Sequence, residues 1–195
     1  MTSQDDFLKK LIKVLGDFSI PYMISGSFGS SYHGRPRATK DLDIVIAPTE
    51  KQLLEFVESL GEDYYVSLEA VRDAFANKSM FNIVDSLSGW KADFILRRAR
   101  AFSLQEFERR GIAEIGGLDV WVTSPEDIIL CKLEWSKDSQ SEQQFGDALG
   151  VAVIQWDRLD VNYLRKWAKE LQVMDSLEQL LGQAGRLVKN SDTSA

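Results

Sequence analysis

The chain has 195 residues, 44% of them hydrophobic and 27% charged, with a formal net charge of −7. That length allows one ample core, or a domain with a smaller helical companion, and the negative balance works against broad contact with nucleic-acid phosphates while leaving room for a local basic patch. A single cysteine, Cys131, excludes an intramolecular disulfide, and a single histidine, His33, argues against zinc sites built from His and Cys.

No apolar run is long enough to span a bilayer, and the first residues lack the basic start and small-residue cleavage site of a secretory signal. A cytoplasmic protein without a membrane partner is therefore expected. Neither an internal repeat nor a low-complexity stretch interrupts the chain.

Taken in order, Phe7, Leu8, Leu11, Ile12, Leu15 and Phe18 recur at helical spacing and predict an amphipathic helix over 5–17. Residues 22–24 form a short buried strand after Pro21. Gly26, Ser27 and Gly29 then let the backbone turn into a second, shorter helix ending near Gly34. Residues 35–40, Arg-Pro-Arg-Ala-Thr-Lys, make an extended basic loop, because Pro36 lacks a donor and biases its predecessor away from helix. A strand over 41–47 follows.

A third helix opens at Thr49 and closes at Gly61, with Leu53, Phe56, Val57 and Leu60 as its stripe. Beyond it the pattern predicts a strand over 64–66, a helix over 68–76, strands over 80–84 and 92–96, and a helix over 102–109. Strands 112–115 and 118–122 form a hairpin around Gly116-Gly117. Ser124-Pro125-Glu126-Asp127 is a helix start, with a capping hydroxyl, proline in the first turn and acids at the positive end of the dipole. From there only helices are predicted, with a polar interruption over 137–144, helices over 145–154, 159–171 and 177–188, and a frayed end over 190–195. The expected fold class is α/β (α+β): a small mixed sheet flanked by helices over residues 1–123, then an all-helical part over 124–195.

Chemistry concentrates at Asp41 and Asp43. In a strand, side chains i and i+2 share a face, so these carboxylates project together while Leu42, Ile44 and Ile46 point into the core. Like charges so close repel, and a divalent metal is an economical compensation. Asp93, flanked by Ala92, Phe94, Ile95 and Leu96, is a third strand acid that burial would penalise if it stood alone. Gly26-Ser27 follows a strand at a helix start, where backbone amides and a hydroxyl suit a phosphate. Oxygen ligands beside a phosphate-sized turn suit magnesium and a nucleotide. The plainer alternative is a solvated acidic pair at a strand end. Lys132 interrupts the apolar run 128–133, so its ammonium must meet either an anionic ligand or an acid such as Glu134 or Asp127.

Apolar-Gly-Ser, about a dozen residues, Asp-x-Asp between apolar residues and a later strand acid together resemble the nucleotidyltransferase superfamily that includes DNA polymerase β. A closer likeness is to small bacterial nucleotidyltransferases of the AbiEii/toxin-like type, carried by the basic-Thr segment Arg35, Arg37, Thr39 and Lys40 and by the helix 124–134. The resemblance implies magnesium-dependent transfer of a nucleoside monophosphate from a nucleoside triphosphate, with release of pyrophosphate. It implies that Asp41, Asp43 and Asp93 hold two metal ions and that Asp93 also helps deprotonate the acceptor hydroxyl. Gly26, Ser27, Lys40 and Lys132 would hold the nucleotide phosphates. One departure stands out: relatives read approximately Ser-Glu-Arg-Gln-x-Arg-Asp where this chain has Gln143 and Gly146 at the two basic positions. The acceptor stays open among protein, RNA and small molecule. A nucleotide-binding regulator with little or no turnover is the alternative, and membership of a toxin–antitoxin pair is compatible with either.

Other features are read as structural. Gly29-x-x-x-x-Gly34-Arg35 lacks the Lys and Ser/Thr of a P-loop. His33 is read as a helix-end cap, Cys131 as packing, and the arginines at 97, 98 and 100 as a solvated strand end. The five tryptophans lie on separate elements and read as core and interdomain packing.

Overall fold

The computed structural model describes residues 3–37, 39, 41–139 and 141–192. The expected phosphate contact Lys40 lies outside the described residues. Two compact units emerge, one of Met1–Ser25 with Thr39–Val122, the other of Gly26–Ala38 with Thr123–Ala195.

The first unit holds a mixed sheet of strands β1 (Tyr22–Ile24), β2 (Asp41–Ile46), β3 (Tyr64–Tyr65), β4 (Met80–Asp85), β5 (Lys91–Leu96), β6 (Gly111–Ile115) and β7 (Leu118–Val122), in the spatial order β3-β4-β5-β2-β1-β7-β6. Its helices are α1 (Gln4–Asp17), α3 (Glu50–Ser59), α4 (Leu68–Asn77) and α5 (Ala101–Glu108). The central strands β2 and β5 run parallel. Their alternate residues Leu42, Ile44, Ile46, Ala92, Phe94 and Leu96 are buried. Phe94 stacks on Phe81 with centroids 5.4 Å apart and meets Phe56 of α3 at 5.5 Å. From α1, Phe7, Leu8, Leu11, Ile12 and Leu15 enter the same unit's core. Each such side chain contributes about 1.5–3 kcal/mol of burial. This apolar layer fixes the parity of β2 and β5, and so fixes which residues the opposite sheet face presents.

The second unit comprises α2 (Gly26–His33), α6 (Pro125–Ser139), α7 (Glu142–Ile154), α8 (Val161–Glu170) and α9 (Met174–Asp192). Compared with the expected division at 123/124, segment 26–38 lies with the C-terminal helices, because α2 packs on α6 and α7. Small residues allow this: Gly29 and Ser30 are buried on α2, Ala148, Gly150, Val151 and Ala152 on α7. At Gly34 a Cβ would come 2.8 Å from the Val151 backbone nitrogen and 2.9 Å from the Ser30 carbonyl oxygen. Neither backbone atom can yield cheaply. Gly34→Ala is therefore expected to destabilise the protein by about 2 kcal/mol, measurable by urea denaturation. An unchanged midpoint would disprove the close approach.

Two expectations about the helices are corrected. Residues 137–144 do not interrupt the chain along their whole length: α6 continues to Ser139, and α7 begins at Glu142 with Ser141 as its cap. Lys137 and Ser139 on α6, and Glu142 and Gln143 on α7, are exposed. The end is helical to Asp192, past the position where fraying was expected, with residues 193–195 outside the described set. Trp135 is exposed rather than packed. Among the described residues, no helix is long and apolar enough to cross a membrane.

Candidate active site

β2 and β5 pair in register, Asp41 opposite Lys91 and Asp43 opposite Asp93. Strand parity puts these four residues on one face, opposite the buried Leu42, Ile44, Ala92 and Phe94. The three acids expected from the sequence thus lie on one face of the sheet in the first unit. Ser25, at the end of β1, donates its backbone N–H to the Asp43 carbonyl at 2.9 Å.

Two further residues on this face were not anticipated. Lys91 places its ammonium 3.4 Å from Asp41 Oδ1 and 3.2 Å from the Asp93 carboxylate. Asn82 of β4, the partner of Asp93 in the next ladder, donates its side-chain amide to that carboxylate. Burial works against the Lys91 charge, but the hydrogen bond and charge of Asp93, with the charge of Asp41, outweigh it and raise its pKa. Period-two spacing from Asp93 was the available signal for Lys91.

Among the described residues, no three His, Cys, Asp or Glu side chains form a ready metal-ligand group. The donor set nonetheless suits magnesium, being carboxylate oxygens alone, and the lysine between them shows that this face accommodates a positive charge. If the ammonium relieves repulsion between Asp41 and Asp93, Lys91→Met should cost up to about 1 kcal/mol in chelator, the modest value following from partial exposure. Manganese should restore more thermal stability to the variant than to the parent protein. Equal melting temperatures in chelator would count against this role.

The strand-to-helix turn lies in the second unit. Gly26 takes φ +57°, a left-handed conformation that glycine adopts without penalty, and so starts α2 directly behind β1. Ser27 Oγ accepts a 2.6 Å hydrogen bond from Arg37 Nη2. Arg37 Nε and Nη2 in turn donate to the two oxygens of Asp147, each at 3.1 Å. Lys132 Nζ donates to Asp147 Oδ2 at 2.9 Å. Ser27 and Lys132 are thereby connected through Arg37 and Asp147, two residues to which the sequence reading gave no such link. Asp147 lies 110 residues from Arg37, and nothing local announces the pair. Of the alternatives held open for Lys132, an acidic partner is what this structure contains.

The neighbouring acids of α6 have structural work. Asp127 accepts from the Ser124 hydroxyl and from Tyr163 Oη, both at 2.6 Å, and Glu126 accepts the Asp160 backbone N–H. His33 donates from Nε2 to the Thr123 carbonyl at 2.7 Å. Burial lowers its pKa, against the opposing pull of that carbonyl and Glu126. At the end of β5, Arg97 lies over Phe107 and Arg100 donates to Ser103.

No family model and no curated protein matches the sequence. Solved structures do match. An antigenic nucleotidyltransferase-like protein from Paracoccidioides brasiliensis aligns with a TM-score of 0.64 at 16% identity, over 95% of this chain and 90% of that one. ANT(2")-Ia in complex with adenylyl-2"-tobramycin aligns with a TM-score of 0.56 at 15% identity, over 87% and 97% of the two chains. The fold is nucleotidyltransferase-like. The lincosamide antibiotic adenylyltransferase LnuA, with lincomycin bound, has the same fold at a TM-score of 0.54 and 12% identity, over 79% of this chain and 99% of its own. At these identities the likeness concerns the fold, and in this nucleotidyltransferase-like fold the carboxylate face on β2 and β5 is the site to be explained.

Proposed function

We propose that the chain is a magnesium-dependent nucleotidyltransferase that moves a nucleoside monophosphate from a nucleoside triphosphate to a hydroxyl acceptor. The observation that carries this reading is the common face of Asp41, Asp43 and Asp93 on adjacent parallel strands of a nucleotidyltransferase-like fold. The narrower likeness to the AbiEii/toxin-like type rests on Arg35, Arg37, Thr39 and Lys40 and on the segment 124–134.

Asp41, Asp43 and Asp93 would hold the magnesium ions, which when bound neutralise charge on the triphosphate and on the oxygens exchanging at phosphorus. The chain's own groups do the rest. In the second unit, the Gly26 backbone and the Ser27 hydroxyl would orient the β- and γ-phosphates, a positioning task of the kind that dominates phosphoryl chemistry. Asp93, oriented by Asn82, would receive the proton of the acceptor hydroxyl. The acceptor oxygen then bonds to the α-phosphorus, the bond from that phosphorus to the bridging oxygen breaks, and pyrophosphate departs with the electron pair.

The antibiotic ligands of two fold neighbours support a small hydroxylated molecule as the first acceptor to try, ahead of RNA or protein. A second reading, a nucleotide-binding regulator, is favoured by Gln143 and Gly146. On α7, Gly146 leaves open space at a position where the resemblance implies a basic side chain. Incubation with magnesium, each labelled nucleoside triphosphate and an acceptor panel decides between them. Label transfer or pyrophosphate release supports the enzyme, whereas saturable binding with neither supports the regulator.

A further inference from the structure

The cation that meets the triphosphate can be distinguished from the one that only supports it. Arg37, Asp147 and Lys132 form one chain of contacts ending on Ser27 Oγ. Their exposures differ sharply: the Lys132 side chain is 4% accessible and that of Asp147 10%, but that of Arg37 is 31%. A ligand arriving from solvent meets the partly exposed Arg37 before Lys132, which is sealed behind its carboxylate.

Guanidinium geometry fits this division. One edge of the planar fork engages both Asp147 oxygens, which fixes the plane and direction of the group. Held so, Nη2 lies against the hydroxyl of the second residue of α2. A buried lysine needs a counter-charge, and Lys132 finds it in the same carboxylate that aims Arg37. Arg37, Lys132 of α6 and Asp147 of α7 are therefore joined at one carboxylate.

We propose that Arg37 is the residue that grips the polyphosphate of the nucleotide beside Ser27, and that Asp147 and Lys132 are positioning residues that hold Arg37 in place. This rests on the reading of the chain as a nucleotidyltransferase and deepens it: the recognised group is a polyphosphate, and Lys132 acts through Asp147 instead of touching it.

The test is calorimetric titration of ATP, inorganic tripolyphosphate and AMP, each with magnesium, into the full-length protein. Arg37→Gln should weaken ATP and tripolyphosphate by the same factor, roughly ten- to a hundredfold, and leave AMP unchanged. Lys132→Met should weaken the two polyphosphates by a smaller factor. As a readout that a merely structural role would not move, Asp147→Asn should weaken tripolyphosphate and leave AMP unchanged, while the Arg37 Nε–H resonance of the ligand-free protein loses its carboxylate-bonded shift. Should that variant fold poorly, the paired Lys132→Met/Asp147→Asn protein, which removes both buried charges, serves for the same spectrum.

An Arg37→Gln protein that binds tripolyphosphate like the parent overturns the proposal and leaves the enzyme reading standing. An equal loss for AMP, or a larger polyphosphate loss in Lys132→Met than in Arg37→Gln, overturns it too. If the parent protein binds neither polyphosphate, the enzyme reading fails first and this inference falls with it.

Discussion

Asp43→Asn is expected to lower nucleotidyl transfer by roughly a thousandfold or more while the protein remains folded. Asn keeps the size of the side chain and removes its charge. Asp43 lies in register opposite Asp93, with Asp41 two residues away on the same face, so it stands at the middle of the acidic patch. Losing that charge leaves any divalent ion held there a weaker, neutral amide oxygen in place of a carboxylate, and several kcal/mol of charge stabilisation at the exchanging oxygens go with it. The fold has little reason to change, because the apolar side of β2 is made by Leu42, Ile44 and Ile46. Pyrophosphate release with the best acceptor, alongside circular dichroism and a melting curve, measures both halves of the expectation. Retained turnover in a folded variant would remove Asp43 from the mechanism. Lost turnover in an unfolded one would leave no support for the metal role.

What the sequence disclosed and what it withheld divide along physical lines. The acidic face was legible because strand periodicity is local: Asp41 alternates with Leu42 and Ile44, and the buried parity leaves one possible direction for the acids. The helices α1 and α9 were legible for the same reason, each carrying an apolar stripe several turns long. Lys91 was missed although its spacing from Asp93 was in view, because a lysine at a strand end usually belongs to solvent. Here the register with Asp41 brings it back onto the acids. The place of α2 among the C-terminal helices was not legible. Its residues, Gly-Ser-Phe-Gly-Ser-Ser-Tyr-His, carry no apolar stripe, and its packing depends on small residues contributed by α7, more than a hundred positions later. Asp147 illustrates the same limit. It was visible only as the last letter of a stretch noted for lacking two basic residues, and its two cations arrive from other helices and loops.

Removing that carboxylate gives the second large expectation. Asp147→Asn should cost about 3 kcal/mol of stability, because the Lys132 ammonium then lies buried beside a neutral amide. Lys132→Met placed on the same background should recover most of the loss, since the uncompensated charge is gone and a side chain of similar length fills its place. Such recovery separates a charge effect from a packing effect, and its absence would show that Asp147 matters through Arg37 or through its shape. The pH dependence follows from the same contacts. Burial alone would raise the Asp147 pKa, but hydrogen bonds from Arg37 and Lys132, and their charges, outweigh it and hold the carboxyl below its ordinary value. A depressed folded-state pKa means that the unfolded chain binds the proton more readily. The stabilisation is therefore complete above the unfolded carboxyl value, about pH 4, and is lost as pH falls through the lower folded value. Urea denaturation between pH 7 and pH 3 should show the parent protein losing stability over that acid range more steeply than the Lys132→Met/Asp147→Asn protein. Parallel curves would mean that Asp147 contributes nothing to the acid response, and the two cations it holds would need another account of their burial.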